Sequence, residues 1–171
     1  MDDLTEFIKE IGSYNILNNL LPGAVYSFYL YFFAGINYMD INIVVLLFIM
    51  YFEGLIMSRI GSLLEPYIIK SIKAKSRDYK SYVEAEKVDP KIQILQRDAN
   101  MYRTLMSVQL VSILSFFALD RNILTPSFVI AMVLGFLVFT FSYKKQRDYI
   151  INRIDIALKK LAKIKKTYSG N

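Results

Sequence analysis

The chain has 171 residues, of which 54% are hydrophobic and 21% charged, with a formal charge of +6 and a mean hydropathy of +0.33. A soluble protein of this size and composition would expose too much apolar surface, whereas a lipid bilayer covers such surface. The lack of cysteine and histidine excludes disulfides, thiolate metal sites and imidazole chemistry. We therefore expect an integral membrane protein.

Four stretches with few or no charged residues predict membrane-spanning helices, because a hydrocarbon core of about 30 Å needs roughly 20 helical residues. In chain order they are Leu20–Tyr38, Ile41–Ile60, Thr104–Leu119 and Asn122–Tyr143. The third stretch is the shortest and would cover only about 24 Å as a helix, so it must tilt little or thin the bilayer. The predicted fold is all-α, a polytopic membrane protein with four transmembrane helices.

The segment before the first span predicts a short amphipathic helix that lies along the inner membrane interface. Its apolar residues recur near helical spacing: Leu4, Phe7, Ile8, Ile11 and Tyr14. Leu21–Pro22–Gly23 then predicts an entry turn, because proline is tolerated at the first turn of a helix but not in its interior.

Basic residues cluster in two regions, and this distribution predicts the topology. Ten of the 21 lysines and arginines lie between Arg59 and Arg103, and nine lie between Lys144 and Lys166. With four spans, both clusters fall on one side of the membrane, which the positive-inside rule assigns to the cytoplasm. We expect both termini to be cytoplasmic, with short outer links at Ala34–Asp40 and Asp120–Asn122.

The long link between the second and third spans predicts a cytoplasmic helical hairpin. Its outgoing arm is Pro66–Val88, and its returning arm begins at Asp89–Pro90, which suits a helix N-cap and first helical position, and continues into the third span. Because the outgoing arm is longer than the returning arm, we infer a bend at Gly61–Pro66. Four regions follow from this layout: 1–61, 62–103, 104–143 and 144–171.

The C-terminal region predicts a basic amphipathic helix that continues from the fourth span. Five of its apolar residues recur at three- and four-residue steps, the spacing of a coiled-coil seam: Ile150, Ile154, Ala157, Leu161 and Ile164. The seam could pack on the chain's own hairpin or on other copies of the chain, and the pattern does not separate these alternatives. We assign the basic residues to topology and anionic lipids and expect no nucleic-acid binding.

Glu53 is the acidic residue deep in a predicted span, where an ionised carboxylate is costly unless it is paired or faces a polar cavity. Gln109 and Ser112 of the third span, or a neighbouring subunit, are the predicted partners. Gly54 and Ser58 beside it form a small-residue pair that would let another helix approach closely. The carboxylate could serve a structural hydrogen bond or a pore, ion or regulatory role.

The sequence contains no Walker loop, nucleophile elbow, dinucleotide fingerprint or intramembrane carboxylate pair, so we predict a non-enzyme without cofactor or metal. Two functions remain: an oligomeric pore or membrane-perturbing effector, and a membrane-anchored adaptor whose cytoplasmic helices dock a partner protein. Transport of a small solute is a weaker third reading, because four spans without repeats would need oligomerisation to form a path.

Four short blocks resemble parts of small uncharacterised bacterial multi-pass proteins: Leu21–Gly23, Arg59–Pro66, Ala85–Pro90 and Asn100–Thr104. The layout of short spans with a cytoplasmic helical part also resembles the membrane effectors of bacterial anti-phage systems. The resemblance implies an inner-membrane protein that forms a pore or disrupts the membrane after infection is sensed elsewhere. It assigns no functional residue.

Overall fold

The computed structural model describes the backbone of residues 2–38, 40–119 and 125–169, and the side chains of residues 18–38, 40–118 and 125–164. Within these ranges the chain is all-helical, as predicted. Its five helices are α1 (Asp2–Ala34), α2 (Ile43–Ser71), α3 (Tyr79–Glu86), α4 (Lys91–Leu119) and α5 (Pro126–Ser169).

Among the described residues, three helices are long and apolar enough to cross a membrane: α2, Lys91–Ala118 of α4 and Pro126–Ile164 of α5. They cover most of the second, third and fourth predicted spans. The first predicted span, Leu20–Tyr38, is helical only as far as Ala34, which leaves about 22 Å of helix after Leu20. This part of α1 packs along α2 and α4. The four-span arrangement therefore stays a prediction.

Helix α1 continues through Leu21–Pro22–Gly23, so the predicted entry turn is wrong. Pro22 has no amide proton and cannot donate to the Asn18 carbonyl, which normally weakens a helix interior. Both Pro22 and Gly23 are buried, and a Cβ atom on Gly23 would overlap the Met50 carbonyl of α2. The packing of α1 against α2 thus outweighs the tendency of Pro22 and Gly23 to interrupt the helix. The side chains of the amphipathic pattern at residues 4–14 lie outside the described residues.

Helix α2 runs without a break through Gly61 and Pro66 to Ser71, so the chain does not leave the helix where the bend was inferred. It leaves at Ile72 and passes through an irregular link in which Lys73 has a positive φ of 50°. The short helix α3 then starts after Asp78, whose Oδ2 accepts a 3.0 Å hydrogen bond from the Ser81 amide. The outgoing arm is therefore two helices joined by a link, and this link accommodates the unequal arm lengths.

Helix α4 starts at Lys91 and continues into the third predicted span without a break, as the sequence predicts. Asp89 Oδ1 accepts a 3.2 Å hydrogen bond from the Lys91 amide, which is the expected capping contact. Of the most apolar part of α4, 44% of the residues are buried, against 11% for α2 and 17% for α5. The short third predicted span therefore belongs to the most buried of these three helices.

Two apolar clusters hold the helices together. The first joins α3, α4 and α5 at one end of the molecule and contains Ala85, Ile92, Ala99, Met106, Tyr143, Ile150, Ile151, Ile154 and Ala157. The second joins α1, α4 and α5 at the other end, where the Phe128 ring makes edge-on contacts with Phe116 and Phe33. Many large side chains of α2 and α5 stay exposed between these ends, as expected for surfaces that face lipid.

A bidentate ion pair between Asp89 and Arg153 also joins the start of α4 to α5. Arg153 Nε lies 2.7 Å from Asp89 Oδ2, and Arg153 Nη2 lies 3.1 Å from Asp89 Oδ1. These hydrogen bonds favour the ionised carboxylate and hold the pKa of Asp89 below its ordinary value. The pair therefore stabilises the fold above the pKa of the unfolded chain, about 4, and its contribution is lost as the pH falls through the lower, folded pKa.

We expect Arg153→Ala to lower the stability of the protein at pH 7 by a small amount and to lose this effect in acid. Thermal unfolding in detergent from pH 7 to pH 2 measures the difference between the variant and the wild type. The difference should shrink below about pH 4. A difference that stays constant down to pH 2 would contradict this role for the ion pair.

Candidate intramembrane polar site

Glu53 lies in the middle of the span in α2, about 15 Å along the helix from Ile43. Its Oε2 accepts a 2.6 Å hydrogen bond from the Ser27 hydroxyl of α1. The short distance is typical of a hydroxyl that donates to a carboxylate. The described partner of Glu53 is thus on the first helix and is not one of the two residues predicted on the third span.

A very close approach of α1 and α2 makes this hydrogen bond possible. A Cβ atom on Gly54 would overlap the Asn19 backbone carbonyl, and the same holds for Gly23 and the Met50 carbonyl. The two glycines therefore let the backbones of the two helices touch on either side of the bond between Ser27 and Glu53. Gly54 does bring another helix close, as predicted, and that helix belongs to the same chain.

Gln109 and Ser112 are both buried on α4, and neither is hydrogen-bonded to Glu53 in the described part of the chain. Gln109 is fully buried, and its Nε2 donates a 3.2 Å hydrogen bond to the Tyr29 hydroxyl of α1. Gly135 of α5 makes room for it, since a Cβ atom there would lie 3.1 Å from Gln109 Cδ. The Ser112 hydroxyl is buried and has no hydrogen-bond partner in the described part of the chain. The predicted three-residue site is therefore two separate polar sites.

A pocket of about 340 Å³ opens beside the Ser27 hydroxyl, on the lateral surface between α1 and α2. Its walls are mainly apolar and include Phe28, Met50 and Tyr38. The Tyr38 side chain also interacts with Ser27. A carboxylate at the depth of a span therefore lies close to an open, largely apolar surface.

The sequence reasoning did not identify Ser27, Tyr29 and Tyr38 as partners of the intramembrane polar residues. Tyr26, which donates a 3.0 Å hydrogen bond to the Ser115 hydroxyl of α4, was also missed. The available signal was the high tyrosine content of the first span. Tyrosines that lie too deep for the membrane interface need a buried hydrogen-bond partner, and polar residues on other helices supply it.

The predicted C-terminal seam packs mainly on the chain's own helices. Ile150, Ile154 and Ala157 are buried in the cluster with α3 and α4, whereas Leu161 is half-buried and Ile164 is exposed. Of the two alternatives left open by the sequence, the structure contains the intramolecular one. Self-association through this seam would be limited to Leu161 and Ile164.

A second charged site, missed by the sequence reasoning, joins α2, α4 and α5 where the spans end. Glu65 Oε2 lies 2.5 Å from Arg103 Nη1, and Glu65 Oε1 lies 3.8 Å from Arg147 Nη1. The buried Tyr143 hydroxyl donates a 2.6 Å hydrogen bond to Glu65 Oε1. One carboxylate therefore lies against two guanidinium groups that are largely shielded from solvent.

The described residues contain no group of three or more carboxylates that could hold a metal ion. The chemistry available near Glu53 is the binding or release of a proton or cation by one carboxylate.

Comparison of the chain with known proteins identified no matching family model, no similar curated protein and no similar solved structure.

Proposed function

We propose that the chain is a non-catalytic membrane effector that assembles from several copies and lets ions cross the bacterial inner membrane. The observation that carries the proposal is the position of Glu53, a carboxylate near the middle of a predicted span whose partner Ser27 lines a laterally open pocket. A carboxylate at this depth is costly when it faces acyl chains. In the assembly, water or a neighbouring copy would therefore contact Glu53 in place of lipid. The resemblance to anti-phage effectors extends the proposal to defence against infection.

A path for ions would have to form between copies. Within one chain, the space between α1, α4 and α5 is filled at one end by Leu30, Phe116, Phe128 and Met132. The small residue Gly54 is already in contact with α1, and most of the C-terminal seam is covered by α3 and α4. Phe28, which lines the pocket, and Phe32, which stacks on it, are exposed and supply an aromatic surface on α1 for a second copy.

The test compares Glu53→Gln with Glu53→Ala at matched abundance in the membrane. Glutamine keeps an acceptor for the Ser27 hydroxyl but removes the charge, whereas alanine removes both. If the charge acts in ion passage, both variants should assemble normally and lose membrane depolarisation, measured with a voltage-sensitive dye. Equal depolarisation by all three proteins, or a monomer for the wild type in native mass spectrometry, would contradict the proposal.

We further propose that both termini and residues 62–103 are cytoplasmic, following the basic clusters. Reporter fusions at Tyr38, Lys80 and Asn171 should then report outside, inside and inside. A periplasmic signal at Lys80 would contradict this topology. A cytoplasmic signal at Tyr38 would exclude the first span as a membrane crossing.

A second candidate is a membrane-anchored adaptor, and the packing of α3 with the ends of α4 and α5 favours it. This helical body has its own apolar core and carries exposed aromatic side chains such as Tyr79 and Tyr149. An adaptor would need this helical body to dock its partner, and it would not need the charge of Glu53. Full function of Glu53→Gln, with loss of function in a variant that lacks the surface tyrosines, would favour the adaptor over the pore.

A further inference from the structure

A polar pocket of about 240 Å³ lies where α1, α2 and α4 meet, one to two turns of α2 beyond Glu53. The residues that line it and that matter here are Asn18, Ser58, Arg59, Asn100, Arg103 and Thr104. We infer that this pocket binds a phosphate group, and that the phosphate belongs to an anionic lipid of the inner leaflet. The inference does not depend on the proposed ion passage.

The charges around the pocket favour an anion. Arg59 and Arg103 both line it, and Glu65 is the carboxylate bound to Arg103. Glu65 also lies 3.8 Å from Arg147, so one negative charge is shared by two arginines, and Arg59 adds a third positive charge. An anion in the pocket would reduce this excess, and guanidinium groups bind phosphate oxygens well because they present several donors in one plane.

Uncommitted hydrogen-bond donors support the same conclusion. Arg103 Nε is buried and has no partner in the described part of the chain. Asn100 accepts a 3.3 Å hydrogen bond from Gln96 at Oδ1, which leaves its Nδ2 hydrogens to donate. A phosphate oxygen in the pocket would accept a hydrogen bond from Asn100 Nδ2.

The volume of the pocket and its position relative to the predicted spans favour a lipid headgroup as the ligand. Pockets for drug-sized ligands usually start at about 300 Å³, so this smaller one suits a single compact group. It lies at the end of the second and third predicted spans that carries the basic cluster, where the headgroups of the inner leaflet are expected. Basic pockets between helices at this level bind the headgroups of anionic lipids.

The experiment measures lipid retention by the full chain purified in detergent, with native mass spectrometry after addition of phosphatidylglycerol or the zwitterionic phosphatidylethanolamine. Arg59→Gln removes one charge from the pocket, and Ser58→Leu fills the pocket without changing any charge. Lys145→Gln is the matched control, because it removes one charge from the same basic end of the helices, on α5 and outside the pocket. A parallel arm titrates inorganic phosphate against the wild type.

We expect the wild type to retain phosphatidylglycerol in preference to phosphatidylethanolamine. Arg59→Gln and Ser58→Leu should each weaken this retention by about fivefold, and Lys145→Gln should leave it unchanged. Equal loss in Arg59→Gln and Lys145→Gln would overturn the inference, since it would indicate a diffuse charge effect. Saturable binding of inorganic phosphate without retention of phosphatidylglycerol would overturn the lipid assignment, and binding of neither would overturn the site.

Discussion

Replacement of Glu65 by alanine is expected to destabilise the protein by about 3–5 kcal/mol, the range found when one partner of a buried ion pair is removed. The variant would leave Arg103 and Arg147, whose side chains are only 11% and 14% exposed, without their shared carboxylate. The buried Tyr143 hydroxyl would also lose its acceptor. Unfolding of purified protein in detergent, followed by circular dichroism, measures the change.

The matched control for Glu65→Ala is Asp155→Ala, which breaks the ion pair between Asp155 and Arg77. Arg77 Nη2 lies 2.6 Å from Asp155 Oδ1, but the Asp155 side chain is 36% exposed and the Arg77 side chain 47%. Exposed pairs contribute about 0–1 kcal/mol, so this variant should unfold almost like the wild type. If both variants lose the same stability, burial of the Glu65 site is not what makes it important.

Gly54→Ala is expected to prevent α1 from packing on α2. The added methyl group would overlap the Asn19 backbone carbonyl, and a backbone atom cannot move aside as the end of a flexible side chain can. Overpacking usually costs about 1–3 kcal/mol, and contact with a rigid backbone puts this variant at the upper end or above it. The measurement is the yield of folded protein in detergent, together with its unfolding midpoint.

Gly135→Ala is the control, because the nearest atoms to its new methyl group belong to the Gln109 side chain, with Cδ 3.1 Å away. A small adjustment of that side chain relieves the contact, so the effect should be much weaker. If Gly54→Ala folds as well as Gly135→Ala, then α1 and α2 do not approach as closely as the structure shows. The close approach of α1 and α2 on which the hydrogen bond from Ser27 to Glu53 depends would then be absent.

Composition and periodicity were enough to predict the class of fold and several helices. Long uncharged stretches predict spans because lipid accepts apolar helices whose backbone groups are paired internally. The unbroken α4, with Asp89 as its cap, and the unbroken α5 were predicted because capping and apolar spacing are local properties of the sequence. The depth of Glu53 in α2 follows from the same counting of residues.

The tertiary structure decided the continuity of α1 and α2 and the partners of the polar residues. Pro22, Gly61 and Pro66 weaken helices locally, and both helices nevertheless continue, with Pro22 and Gly61 buried against neighbouring helices. Ser27 pairs with Glu53, and Tyr29 with Gln109, across separations of 26 and 80 residues. Such pairs depend on which faces of the helices meet and on how closely they approach, and periodicity within one helix carries no information about either.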